Sequence, residues 1–391
     1  MQRRSVRSLA VYVNPGAARL GANMYTPACF DVVFNASGWQ QSDLCASLSA
    51  LGTDLLLYGN EFAVPKADLL AQAVAPKYAN NPSTSAWRWD KYAMQRRLAE
   101  EGLPSIRQLL VGYSLRPSEL ARLTEDFRFP LIVKPIQAGG TQGMARCDSL
   151  AEIEAHLSAV AKDRPILCAD QFVVQEFIEG EEYFVDTVSI QGSHYLSGVF
   201  HNVKQYYQQS NIYRRTEIVD PADPVWQACR DYVKKVLELL DFRNGFAHTE
   251  VFMTASGPLL LEVNPRISGA HGYIQKIARL VYGWSQPDLL IDALQGRVNS
   301  VPDYSCNSFG VLVYLNNWRR QHRLKPLDQS LLKSLPSYQE ATQLQEPGTL
   351  VDPPATLLET IAYVLLHHPE RGQVEEDYRQ IMAWEKEGLL F

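Results

Sequence analysis

The sequence predicts a mixed α/β and α+β protein. An N-terminal parallel-sheet region leads into a central body of strands and helices, and an α+β extension follows. Three observations carry that reading. Short apolar, β-branched runs recur near the start, SLAVYV (8–13), FDVVFNAS (30–37) and TDLLLYGN (53–60), with a helical stretch at 43–51 between the second and third, as in βαβ units. Farther on, strand-like runs alternate with long amphipathic segments. The chain has 391 residues, 46% hydrophobic and 20% charged. That composition is globular, and the length suits about two to four cores.

The elements follow in order. Turn-rich NNPSTS (80–85) is a boundary. DKYAMQRRLAEE (90–101) reads as an amphipathic helix stopped by Gly102 and Pro104. RFPLIVKPI (128–136) is a strand, QAGGTQGM (137–144) a glycine-rich turn, and SLAEIEAHLSAVAK (149–162) a helix with Ser149 as N-cap and Glu152 at the capping-box position. QFVVQEFIEGEEYFVDTVSIQG (171–192) holds two strands around Glu179-Gly180. HNVKQYYQQSNIYRR (201–215) shows no period and reads as a loop, and VWQACRDYVKKVLELLDF (225–242) is a strongly amphipathic helix. In the tail, SFGVLVYL (308–315) is an expected strand and LLETIAYVLLHHP (357–369) an expected helix.

Composition also excludes. A net charge of −6 does not suit a nucleic-acid platform. The six cysteines (29, 45, 147, 168, 229 and 306) lack CxxC spacing, so a zinc ribbon or dithiol centre is not indicated. Reduced thiols of a cytoplasmic protein are expected instead. The apolar run at 9–13 is too short for a signal sequence. No apolar stretch reaches the roughly 18 residues of a membrane span.

The stretch HTEVFMTASGPLLLEVNPRISG (248–269) reads as a hairpin that carries chemistry. A five-residue connection at 254–258 pairs Met253 with Leu259 and puts Glu250 opposite Glu262. Directly opposed Cβ atoms lie about 4.5–5.5 Å apart, so the two carboxylates repel unless a cation sits between them. Asn264 shares the face of Glu262. Such an all-oxygen set suits Mg²⁺. A solvent-facing polar strand face is the alternative, but the leucines at 259–261 and Val263 point to burial, where an unpartnered charge is costly. Lys134 ends a strand and precedes Gly139, Gly140, Thr141 and Gly143. Glycines there let backbone N–H groups approach phosphate oxygens, although no Walker A pattern is present.

Asp90-Lys91, PLIVKP, QAGGTQGM, QEFIEGEEY, HTE and LEVNPRISG occur in that order over about 90–272. The set resembles the ATP-grasp superfamily of carboxylate–amine ligases. HTE, ExNPRxSG and the long tail look most like the L-amino-acid ligases, which join two amino acids or small acids and include dapdiamide- and tabtoxin-type enzymes. The resemblance implies an ATP-grasp fold with an N-terminal pre-ATP-grasp domain (1–85), an ATP-grasp region (86–300) and a C-terminal extension (301–391) completing the active-site domain. Within the ATP-grasp region it implies a lid at about 115–185 and a metal-binding catalytic part at about 186–300. It also implies ATP and Mg²⁺ (or Mn²⁺) as cofactors, small carboxylic acids or amino acids as substrates, and a homodimer as an allowed assembly. Neither nucleic acid nor membrane is implied as a partner. The reaction implied is amide formation through an acyl phosphate, with ADP and phosphate released, in specialised, antibiotic-type biosynthesis. A biotin-carboxylase-type enzyme and a non-catalytic ATP-binding protein are the alternatives.

By the same resemblance, Lys91 and Lys134 hold ATP phosphates and the loop with Gly139, Gly140, Thr141 and Gly143 closes over them. Glu176 and Ile178 meet the adenine, with Phe177 between them also part of the ATP site. Glu182, among the acids Glu179, Glu181 and Glu182, meets the ribose. Glu250, Glu262 and Asn264 ligate the metal, and Arg266, with Lys134, stabilises the transferring phosphoryl group. His248 shares the face of Glu250 and reads either as a substrate contact or as a structural histidine. Arg214 and Arg215 suit a substrate carboxylate, Tyr213 a side-chain pocket, and Ser268 and Gly269 the second substrate. The glycine loop and 204–215 are candidates for a cover that excludes water.

Overall fold

The computed structural model describes residues 8–12, 30–112, 115, 117–136, 143–163, 171–207, 210–298, 304 and 306–391. At the start, β1 (Leu9–Tyr12) and β2 (Val32–Asn35) pair in parallel. Helices α1 (Gln41–Ala50) and α2 (Val64–Val74) enclose a small core of Ala36, Leu44, Leu48 and Leu70. The strand expected at 53–60 is not formed. Its apolar residues are used for packing instead: Leu55, Leu56 and Tyr58 enter three different clusters.

Helix α3 (Lys91–Glu100) starts where expected, because the Asp90 carboxylate accepts from the backbone N–H groups of Tyr92 and Ala93. Next come β3 (Gln108–Gly112), α4 (Pro117–Leu123), β4 (Leu131–Pro135), β5 (Ala145–Cys147), α5 (Leu150–Asp163) and β6 (Gln171–Glu176). The four strands form an antiparallel sheet in the order β3-β6-β4-β5. Ser149 caps α5 by accepting from the Glu152 N–H. The Glu152 carboxylate accepts from the N–H of Asp148, one residue before the capping-box position.

The larger sheet collects β7 (Glu181–Ile190), β8 (Ser193–Tyr207), β9 (Ser210–Ile218), β10 (Gly245–Thr254) and β11 (Gly257–Asn264). Helix α6 (Pro224–Leu239) lies between β9 and β10 in the chain. Helices α7 (Tyr273–Tyr282) and α8 (Gln286–Leu294) follow β11. The C-terminal part supplies β12 (Phe309–Leu315), β13 (His322–Arg323), α9 (Gln329–Lys333), β14 (Tyr338–Gln343), β15 (Leu350–Val351), β16 (Ala362–His368) and α10 (Arg371–Glu387). The sheet order is β11-β10-β7-β8-β9-β12-β16-β14, antiparallel throughout, so the extension continues this sheet. On one face α6 buries Trp226, Cys229, Val233, Val236 and Leu237, at helical spacing, against Val185, Val199, Ala247, Val251, Leu260 and Val263.

Two further expected elements are corrected. The stretch 201–215 is a hairpin of β8 and β9, not a loop, with a register shift at Val203/Lys204. Its polar side chains mask the alternation. The helix expected at 357–369 is a short turn, Leu357–Glu359, followed by β16. Residues 362–366 are buried between β12 and β14, and an apolar run buried on both faces cannot be told from a helix by its period.

Strands β6 and β7 belong to different sheets, and residues 177–180 make the crossing. A Cβ on Gly180 would lie 2.7 Å from the Met253 carbonyl oxygen, so only glycine fits. Gly180→Ala should therefore cost about 1–3 kcal/mol, read as a lower denaturation midpoint. Gly59, whose Cβ would meet nothing within 4 Å, is the control. An unchanged midpoint for Gly180→Ala would refute the close approach.

Candidate active site

The face of β7, β10 and β11 opposite α6 is polar, and it is arranged in rows across the strands. Asp186, His248 and Asn264 form one row. Phe184, Glu250 and Glu262 form the next, and Glu182 with Phe252 the third. The expected opposition of Glu250 and Glu262 is present, but it is reached differently. The turn is two residues, Ala255 and Ser256, and Met253 pairs with Pro258 rather than Leu259. A bulge then leaves Leu261 unpaired and shifts the register. Without that extra residue Glu250 would face Leu261, and Glu262 would turn toward α6.

Cations close in on this pair of acids. Lys91, the first residue of α3, places Nζ 2.9 Å from Glu262 Oε2. Burial opposes the charge on Lys91, but Glu262, Glu61 and Glu250 outweigh it and raise the ammonium pKa. Lys134, at the end of β4, is buried, which pulls its pKa down to about 8 even though Glu262 favours its charge; Lys91 adds to the depression. Burial works against the Glu262 carboxylate as well, but Lys91 and Lys134 hold it well below the ordinary range. Asn264 donates through Nδ2 to Glu250 Oε1 and Glu262 Oε1, both at 3.3 Å.

Glu250, Glu262 and Asn264 fit a hard cation. Two facing carboxylates need positive charge between them, and rotating the amide by a half turn presents its oxygen. Among the described residues no group of three His, Cys, Asp or Glu side chains forms a complete metal cage. An ion here would therefore take further oxygens from water or substrate phosphates.

Arg266 follows β11. Its Nε donates to Glu61 Oε1 at 2.5 Å and its Nη1 to the Ile267 carbonyl at 3.2 Å. Burial opposes its charge, and Glu61, Glu250 and Glu262 together raise its pKa. Glu61 is the residue that sequence reasoning missed. It opens the short turn Glu61–Ala63, capped by Asn60, and no motif singles it out.

His248 lies between two acids, with Nδ1 2.9 Å from Asp186 Oδ1 and Nε2 3.3 Å from Glu250 Oε1. Burial lowers its pKa, but the two carboxylates override this and lift it to about 9. Ser268 donates to the fully buried Asp186. Gly269 opens a tight passage in which Ala270, His271 and Gly272 all have positive φ (55°, 52° and 81°). The two non-glycine residues among them store local strain.

Glu182 is held by Asn202 (2.9 Å) and Lys204 (2.6 Å), with the Tyr213 hydroxyl at 3.4 Å. Burial, then Glu182 and Glu250, raise the Tyr213 phenol pKa. Glu176 ends β6 and lies 3.8 Å from Arg107, and Phe177 lies under the Arg146 guanidinium at 5.0 Å. Ile178 follows in the crossing segment. Gly143 is described, with φ 69°. Gly139, Gly140 and Thr141 lie outside the described residues.

Arg214 and Arg215 are not brought to the acid rows. Arg214 pairs with Glu385 at 2.7 Å and covers Trp318. Arg215 pairs with Glu375 at 2.7 Å and Glu217 at 3.0 Å, and covers Tyr378. Both therefore fasten β9 to the C-terminal region.

Residues 127–273 match the model of the ATP-grasp domain. Dapdiamide A synthase of Enterobacter agglomerans is 32% identical over 258 residues, covering 61% of this chain and 59% of that protein. A D-alanine–D-alanine ligase of Nocardia farcinica is 27% identical over 212 residues, covering 50% of this chain and 55% of that enzyme. The match thus spans less than two thirds of either relative. The crystal structure of an L-amino acid ligase from Bacillus licheniformis superposes with a TM-score of 0.72 at 18% identity, over 97% of this chain and 98% of that one. The mixed architecture, the domain match and the superposition agree: the chain has the ATP-grasp fold and carries an ATP-grasp domain.

Proposed function

We propose that the protein is an ATP-dependent ligase that joins the carboxylate of one amino acid or small acid to the amine of another. The observation that carries this reading is the facing pair Glu250 and Glu262, ringed by Lys91, Lys134 and Arg266 at one end of the sheet. The substrate carboxylate attacks the γ-phosphorus, an O–P bond forms, the bridging P–O bond breaks, and ADP leaves. The amine then attacks the acyl carbon, the C–O bond to phosphate breaks, and the amide and phosphate depart.

The carboxylate is already ionised, so the first step needs no strong base, and catalysis rests on position and charge. Lys91 and Lys134 hold phosphate oxygens, and Arg266, kept in place by Glu61, faces the transferring group. Glu250, Glu262 and Asn264 would hold Mg²⁺, which would supply charge neutralisation there. Glu182, positioned by Asn202 and Lys204, accepts from ribose hydroxyls, and the crossing segment at 177–180 borders the base. A phosphate oxygen takes the proton of the amine.

Purified protein given ATP, Mg²⁺ and a matrix of paired amino acids and small acids should release ADP and phosphate only with both partners, and a new amide mass should appear. AMP would refute the mechanism, bicarbonate-dependent turnover would indicate a carboxylase, and substrate-independent turnover or none would remove the ligase reading. Glu262→Gln should lower the rate by about 10²–10³-fold.

The depressed Lys134 pKa, about 8, gives a second test. ATP favours the ammonium form, so binding below pH 8 takes up no proton at this side chain. Above pH 8 it must take one up, and affinity falls as pH rises. Calorimetry in buffers of different ionisation enthalpy should detect uptake near pH 9 that Lys134→Met abolishes; uptake persisting in the variant would refute the assignment. Glu61→Gln should reduce kcat by about 10- to 100-fold, the worth of a charged hydrogen bond, with ATP affinity unchanged. Normal turnover would show that Arg266 needs no partner.

A further inference from the structure

His248 and Ser268 both lie where a substrate contact is expected, but the hydrogen bonds give them other work. Both ring nitrogens of His248 lie against carboxylate oxygens, of Asp186 on one side and Glu250 on the other. The Ser268 hydroxyl donates to Asp186 and accepts from Gln275 Nε2 at 2.6 Å. Its backbone N–H donates to Gln286 Oε1 at 3.2 Å. Gln286 in turn donates to the carbonyls of Thr187 (3.0 Å) and Ala247 (3.1 Å), and its N–H donates to Gln275 Oε1 at 2.9 Å. The circuit closes on β7, β10, α7 and α8, with Asp186, 0% exposed, at its centre. A buried network with its members satisfied is rigid, and a buried carboxylate is tolerated only with such partners.

We propose that Asp186 is a positioning residue for the metal-binding and phosphoryl-transfer groups, and that His248 and Ser268 are its struts rather than substrate contacts. This inference rests on the ligase reading. Through His248, Asp186 fixes the Glu250 carboxylate. Through Ser268, it fixes the segment that begins with Arg266 two residues earlier. One buried side chain thus sets the spacing between an acid of the metal pair and the guanidinium.

The test compares Asp186→Asn, Ser268→Ala and the double variant. It reads Mn²⁺ affinity by electron paramagnetic resonance with ATP present, steady-state constants, and thermal midpoint. Asp186→Asn should weaken Mn²⁺ by about 10- to 100-fold and lower kcat, with each substrate KM within about twofold. Ser268→Ala, a milder change that keeps the fold if Asp186→Asn does not, should lower kcat at constant KM. The double variant should match Asp186→Asn, because the two act through one contact. A tenfold rise in one substrate KM at unchanged kcat in Ser268→Ala would make Ser268 a substrate contact and overturn the proposal. So would wild-type Mn²⁺ affinity in Asp186→Asn. If the wild-type protein bound no Mn²⁺ with ATP, the ligase reading would fall and this inference with it.

Discussion

Two carboxylates facing each other across β10 and β11 cannot stand alone in a partly dry site. Glu250 and Glu262 repel, and burial adds to the cost of each charge. The architecture around them supplies the compensation. Lys91 arrives at the head of a capped helix, Lys134 from the end of a strand in the smaller sheet, and Arg266 from the segment leaving β11. Each cation sits on a different element, so the relative placement of the sheets and helices is written into this one charge balance. The lowered pKa of Lys134 shows the balance from the other side: burial and a neighbouring ammonium pull it down to about 8 against the pull of Glu262.

Much of this was legible in the sequence, for physical reasons. Acids, an amide and an arginine among strand hydrophobics must be explained by something that neutralises them, and period-two alternation assigns Glu262 and Asn264 to one face. The Asp90 cap and the α6 stripe are local signals, and local signals survive in a bare sequence. The bulge at Leu261 was not legible, because no residue there is a glycine and the shift is enforced by packing of Leu260 on one face and the acids on the other. The paired register of the acids was therefore reached with the wrong turn.

Glu61 was hidden for a different reason. Its partner lies 205 positions away, and nothing local marks it. Arg214 and Arg215 suggested a clamp because guanidinium pairs recognise carboxylates. The carboxylates they meet, Glu385 and Glu375, belong to a helix at the far end of the chain. Residue type signals that a guanidinium will meet a carboxylate, and it does not say which one the fold brings near. The β8–β9 hairpin and β16 were lost where pattern is weakest: one is polar along both edges, the other apolar on both faces.

The charge partners have a bearing on modularity. The stretch that matches the ATP-grasp domain, 127–273, contains Lys134, both acids, Asn264 and Arg266. Lys91 and Glu61, which complete their electrostatics, precede it, and β12, β16 and β14, which extend the sheet beyond β9, follow it. The segment recognisable by descent is thus smaller than the segment that is electrically neutralised and structurally closed. Transplanting it into another scaffold would carry the paired acids without their counter-charges, and recombination among relatives has to move all three parts together or rebuild the missing ones.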